Sequence, residues 1–203
     1  CNVDSECLAK QIADGLSGLK NIAATDFAYI PPSVPKSGAP QRAVSYRVET
    51  RGAISADLAQ FKAQANETLN SSLGWARMGV TFSEVASGGD FVLVLSNAAQ
   101  VPSFNPSVCD SMYSCQIGNY VIINQDRWLG ATDPWNAGGG SLRDYRHMVV
   151  NHETGHWLGH PHEYCSGAGK KASVMQQQSI SLQGCTFNPW PLNSELWSTR
   201  LGI

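Results

Sequence analysis

At 203 residues, with 42% hydrophobic and 15% charged side chains, the chain is long enough to bury a core of its own and lacks the polar bias of disorder. Its formal net charge of -2 comes without a lysine or arginine cluster, which removes the electrostatic footprint of a nucleic-acid binder. No apolar run reaches the length of a membrane span, so a monomer with no nucleic-acid partner and no membrane-crossing segment is expected.

Residues 1–40 read as an N-terminal extension: a weakly amphipathic stretch from Leu8 to Leu19, then the punctuating Pro31-Pro32-Ser33-Val34-Pro35. A single domain over residues 41–203 follows. Val44, Tyr46 and Val48 alternate with polar neighbours as in a half-buried strand, whereas Leu58, Phe61, Ala65 and Leu69 recur at helical spacing. Val80, Phe82 and Val85 give a second strand, and the unbroken run Phe91-Val92-Leu93-Val94-Leu95 a third, apolar on both faces. A turn at Gly118-Asn119 separates Ser114–Ile117 from Tyr120–Ile123, a hairpin that can supply a sheet edge. After Gly138 to Gly140, Ser141 with Asp144 three residues on resembles a helix-capping pair, and Leu142, Tyr145 and Val149 form an apolar stripe running into His152 and His156.

The six cysteines include no C-x-x-C pair, which favours disulfides over a redox motif or a cysteine zinc site. Cys109 with Cys115 and Cys165 with Cys185 can each close a loop, leaving Cys1 with Cys7, although spacing alone does not fix this pairing. Disulfides persist in oxidising compartments, and a chain that starts at Cys1 without an apolar leader fits a secreted protein whose signal peptide has been removed. A lipid-bearing Cys1 would leave Cys7 unpaired. A thiolate from Cys1 or Cys7 masking a metal is a further alternative, set against a simple disulfide between them.

The decisive segment is His152-Glu153-Thr154-Gly155-His156-Trp157-Leu158-Gly159-His160-Pro161-His162. On a helix, residues four apart share a face, so His152 and His156 can both reach one Zn²⁺ at roughly 2.0 to 2.1 Å. Gly159 can end that helix in the left-handed conformation, and Pro161 turns the chain, which makes His162 the third ligand. A tetrahedral catalytic zinc keeps its fourth position for water and lowers the pKa of that water to about 7. Glu153, beside the first ligand, is then the general base, and a purely structural metal site would have no use for it. The same reading treats His160 as a solvent-exposed histidine, His147 as structural, and Tyr164 as a packing residue. Trp75, Trp128, Trp135 and Trp157 are expected in the core rather than along a groove.

The pattern HExxHxxGxxH followed by Met175 resembles the metzincin clan of zinc endopeptidases, in which such a methionine forms a turn beneath the metal. From about Tyr46 to Trp190, including Cys109, Cys115, Cys165, Cys185 and Asn188-Pro189-Trp190, the chain is also similar to a family of secreted actinobacterial domains regarded as zinc peptidases. The resemblance implies an α/β (α+β) fold: a twisted mixed sheet, a backing helix, an active-site helix, a loop-rich C-terminal subdomain, and a cleft whose sheet edge binds a protein or peptide substrate in extended form. Gln177, two residues after Met175, departs from clan members that place a tyrosine ligand there. The resulting expectation is a secreted endopeptidase. The alternatives are zinc-dependent hydrolysis of another amide, such as a cell-wall crosslink, and a non-catalytic secreted binding module stabilised by the metal.

Overall fold

The computed structural model describes residues 42–203. The 1–40 extension, with its amphipathic stretch and the Cys1–Cys7 pairing, lies outside the described residues.

Strand β1, Arg42–Arg51, begins with the alternation read from its sequence: Val44 and Tyr46 are buried and their neighbours are not. Helix α1, Leu58–Leu69, starts where Asp57 Oδ1 accepts the backbone N–H groups of Ala59 at 2.8 Å and Gln60 at 3.1 Å, satisfying donors that the first helical turn leaves free. It buries Phe61, Ala65 and Leu69. Strands β2, Val80–Glu84, and β3, Phe91–Ser96, follow, and then the hairpin of β4, Cys115–Ile117, and β5, Tyr120–Asn124. The two hairpin strands are joined by two residues, of which Gly118 takes a φ of 58°.

The five strands form one mixed sheet in the order β2-β1-β3-β5-β4. All neighbours run parallel except β4, which is antiparallel to β5 and forms an edge. Two apolar layers explain the unbroken run in β3. Phe91, Leu93 and Leu95 join the main core with α1 and the later long helix, whereas Val92 and Val94 join a second cluster with Val101, Ile122, Cys109 and Cys115. A strand covered on both faces has no polar side to display.

Two short helices, α2 (Gln125–Gly130) and α3 (Asp133–Ala137), lead to the 17-residue helix α4, Leu142–Leu158, which packs against α1 and β5. Beyond α4 the chain has only one regular element among the described residues, a 3₁₀ turn at Asn193–Glu195. Loops there are held by backbone bridges, by Cys165–Cys185, and by Asn188, whose Nδ2 donates to Ala172 O at 2.8 Å. The second disulfide, Cys109–Cys115, ties the approach to β4 into the second cluster. No helix among the described residues is long and apolar enough to cross a membrane. Trp75, Trp128, Trp135 and Trp157 are all buried in the main core.

Candidate metal centre

Ser141 caps α4, its Oγ accepting Asp144 N–H at 3.0 Å while its hydroxyl donates to the Asp144 carboxylate at 2.8 Å. The far end closes as the sequence predicts. Gly159 takes a φ of 108°, its N–H bonds to His156 O and the His160 N–H reaches back to Gly155 O, each at 3.0 Å, the paired bonds of a Schellman cap. A Cβ at residue 159 would also lie 2.0 Å from Thr199 Oγ1, so glycine is required there twice over.

This turn brings His162 back over α4, where Glu163 N–H bonds to Met175 O at 3.1 Å. His152, His156 and His162 each direct one ring nitrogen to a common point, all three nitrogens lying within 4.8 Å of one another. His156 Nε2 is 3.2 Å from His152 Nε2 and 3.0 Å from His162 Nε2. Nitrogens bound to a single tetrahedral Zn²⁺ at about 2.05 Å are separated by roughly 3.3 Å. The other ring atoms settle the tautomers. His152 Nδ1 donates to Val174 O at 2.8 Å and His156 Nδ1 donates to His160 O at 2.8 Å, since a carbonyl can only accept. Both Nε2 atoms therefore carry lone pairs, and the short distance between them is a convergence of donors suited to a cation rather than a hydrogen bond. The cluster can hold a metal ion.

Residues 13–189 match a family described as Protein of unknown function (DUF3152). The chain belongs to that family. The match takes in the three histidines, Glu153 and Met175, and no curated protein matches the chain.

In this family member the histidines grade from buried His152 through half-buried His156 to exposed His162, at a cleft of about 330 Å³. Burial, reinforced by the neighbouring imidazoles, pushes His152 down to about 3, and burial likewise takes His156 down to about 4 and lowers His162. All three are thereby kept neutral, the form that binds metal. Glu153 also lines the cleft; it is 5% exposed, and burial pushes its carboxyl up to about 8. Cys115 and Gln116 of β4 line the same cleft, as do Gln177, Ser179 and Ile180 from the chain beyond Met175.

Met175 is fully buried beneath α4, and a Cβ at Gly155, between the two helical histidines, would meet its sulfur at 2.3 Å. Asn188-Pro189-Trp190 helps to hold this region: Asn188 N–H donates to Gln178 Oε1 at 2.9 Å, Pro189 O accepts from Asn151 Nδ2 at 2.9 Å, and the Trp190 ring lies 4.7 Å from that of His147. His147 is structural, its Nδ1 paired with Thr68 Oγ1 at 2.8 Å.

Two expectations are corrected. His160 is not exposed: it retains 3% of its surface, lies between Trp75 and Trp197 with ring centroids at 4.9 Å and 3.8 Å, and donates from Nε2 to Trp197 O. The C-terminal segment that covers it is too remote in sequence to be foreseen from the motif. Tyr164 is 77% exposed and packs on no core, because the chain carries it outward one residue before Cys165. Glu195, a buried carboxylate bonded to the Met175 segment, was not foreseen, since no short motif links it to the histidines.

Proposed function

We propose that this protein is an extracellular, metzincin-like zinc endopeptidase in which His152, His156 and His162 hold the metal and Glu153 is the general base. The observation that carries the reading is the convergence of three histidine nitrogens, two with protons committed outward, beside a buried carboxylate on the wall of an open cleft. Three neutral histidines with carboxylate support match catalytic zinc sites, which leave room for water or substrate. When bound, zinc supplies Lewis acidity that polarises a carbonyl and acidifies water.

The protein's own groups do the rest. Glu153 accepts a proton from the attacking water as its oxygen bonds to the peptide carbonyl carbon, and returns that proton to the amide nitrogen as the C–N bond breaks. A cation at the three nitrogens opposes the effect of burial on Glu153 and favours the carboxylate form a base needs. The edge strand β4, with Cys115 and Gln116 along the cleft, supports an extended peptide as substrate, because an unpaired edge offers backbone donors and acceptors in register with another strand. Two disulfides support an oxidising, extracellular setting.

The test is cleavage of a quenched fluorescent peptide library with and without a zinc chelator, alongside metal analysis. Chelator-sensitive cleavage with about one zinc per chain is expected. Zinc uptake without cleavage of any peptide would overturn the peptidase reading while leaving the metal site standing.

A further inference from the structure

Beneath α4, the stretch Ser173-Val174-Met175 turns its donors onto a single acceptor. Glu195, with no exposed surface, accepts Met175 N–H at 3.0 Å and the Ser173 hydroxyl through Oε1, and Val174 N–H at 3.1 Å and Leu192 N–H at 2.7 Å through Oε2. All four contacts are donors, and no ion pair among the described residues includes this carboxylate. A buried charge costs stability unless its lone pairs are met, and here hydrogen bonds alone meet them. The Leu192 contact fixes the carboxylate locally, because Glu195 reaches back over its own 3₁₀ turn as the acidic member of a capping box does.

The peptide joining Val174 to Met175 is held at both ends. Its N–H, that of Met175, donates to Glu195 Oε1 at 3.0 Å, and its C=O, that of Val174, accepts the proton of His152 Nδ1 at 2.8 Å. We infer that Glu195 is the positioning residue of the metal centre, clamping the Val174–Met175 peptide so that the Val174 carbonyl fixes the tautomer and ring orientation of His152. The inference rests on the metal reading proposed above. Ligand histidines depend on such outer partners for orientation and basicity. Here the partner is a backbone carbonyl, which cannot itself be exchanged by substitution, so its placement falls to the carboxylate behind it. Glutamine is isosteric but cannot replace it cleanly, since its NH₂ would face one of the N–H groups the carboxylate now accepts.

The experiment compares wild type, Glu195→Gln and Val94→Ala, the last removing buried volume from the opposite face of the sheet. Zinc affinity is measured by competition with a chromophoric chelator, the site geometry by the visible absorption of the Co²⁺-loaded protein, and stability by thermal melting of the metal-free forms. Glu195→Gln is expected to lose roughly 10- to 100-fold in zinc affinity and to shift the cobalt bands. Val94→Ala is expected to melt earlier with both metal readouts unchanged. A folded Glu195→Gln protein with wild-type zinc affinity and cobalt spectrum overturns the inference. If Glu195→Gln does not fold, Ser173→Ala, which removes one donor and leaves the carboxylate, is read the same way, and unchanged metal readouts again overturn it. Failure of wild type to take up zinc is a separate result that removes the metal reading and this inference with it.

Discussion

The sulfur of Met175 occupies the space that a side chain at Gly155 would need, 2.3 Å from the position of its Cβ, with Trp75 Cζ2 2.9 Å away on the same position. The methionine and helix α4 are in contact at the one residue between His152 and His156 that has no side chain to interpose.

Gly155→Ala should therefore destabilise the protein, although alanine is the better helix former by about 1 kcal/mol. Overpacking in a closed core costs typically 1–3 kcal/mol, and the Trp75 ring has nowhere to retreat. A melting point lowered by a few degrees is expected, and the double variant with Met175→Ala should lose less than the sum of the two single losses, because the two changes share one contact. Thermal melting of the two single variants and the double variant checks this; strict additivity would contradict it.

Glu153→Gln should lower peptide turnover by at least 10² to 10⁴-fold, the usual range for removing a general base, while leaving zinc bound. The carboxylate is not one of the three converging ligands, so metal analysis should still give about one equivalent. Near-wild-type turnover in this variant would sink the assigned role.

Without metal, the site should leave a signature in the dependence of stability on pH. Glu153 binds its proton more tightly in the folded state, with a pKa raised from 4.5 to about 8, so its contribution is present below 4.5 and is lost as pH rises through 8. His152 and His156 have the opposite sense: their folded pKa values are lowered from 6.5 to about 3 and about 4, so their contribution is present above 6.5 and is lost on acidification toward those values. Between 4.5 and 6.5 the two trends oppose, and above 6.5 the Glu153 trend remains. Calorimetry of the chelated protein should show a melting point falling from pH 6.5 to 8.5 in wild type and nearly level over that range in Glu153→Gln. Parallel curves for the two proteins would refute the account.

Chelation at neutral pH should lower the melting point. Metal that binds only the folded state stabilises it by about 4.1 kcal/mol at a free concentration 1,000 times Kd, equivalent to roughly 2–4 °C per kcal/mol for a chain of this size. His156→Ala, which removes the ligand nearest both others, should make the melting point insensitive to zinc and to chelator alike. A zinc-dependent shift that survives in His156→Ala would place the bound metal elsewhere.

Much of this molecule is legible where the determining interactions are local or periodic. The two-sided burial of Phe91 to Leu95, the Ser141 cap and the turn at Gly159 all follow from neighbours within a few residues. So do the positions of His152 and His156, one helical turn apart. Helices α2 and α3 escape such reading because 6 and 5 residues are too few to establish a period. His160 and Glu195 escape it for a different reason. The burial of His160 depends on Trp197, and the role of Glu195 on Val174, contacts made only after loops without periodicity have folded back. The spacing of the motif pointed to the three histidines and the resemblance to zinc peptidases to Met175, but neither carried information on the carboxylate beneath them.

The Schellman cap at Gly159 couples the end of helix α4 to the histidine cluster. The carbonyl that receives the His156 proton belongs to His160, the residue placed by that cap, so fraying of the last helical turn and misalignment of His156 are one event. A zinc ion held by His156 and His162, as proposed, would bridge the two sides of this hinge and oppose its opening. Amide exchange at Gly159 and His160, ordinarily fast at a helix end, would then be a local gauge of metal occupancy, and loss of the ion would be felt first as a loosened helix terminus rather than as global unfolding.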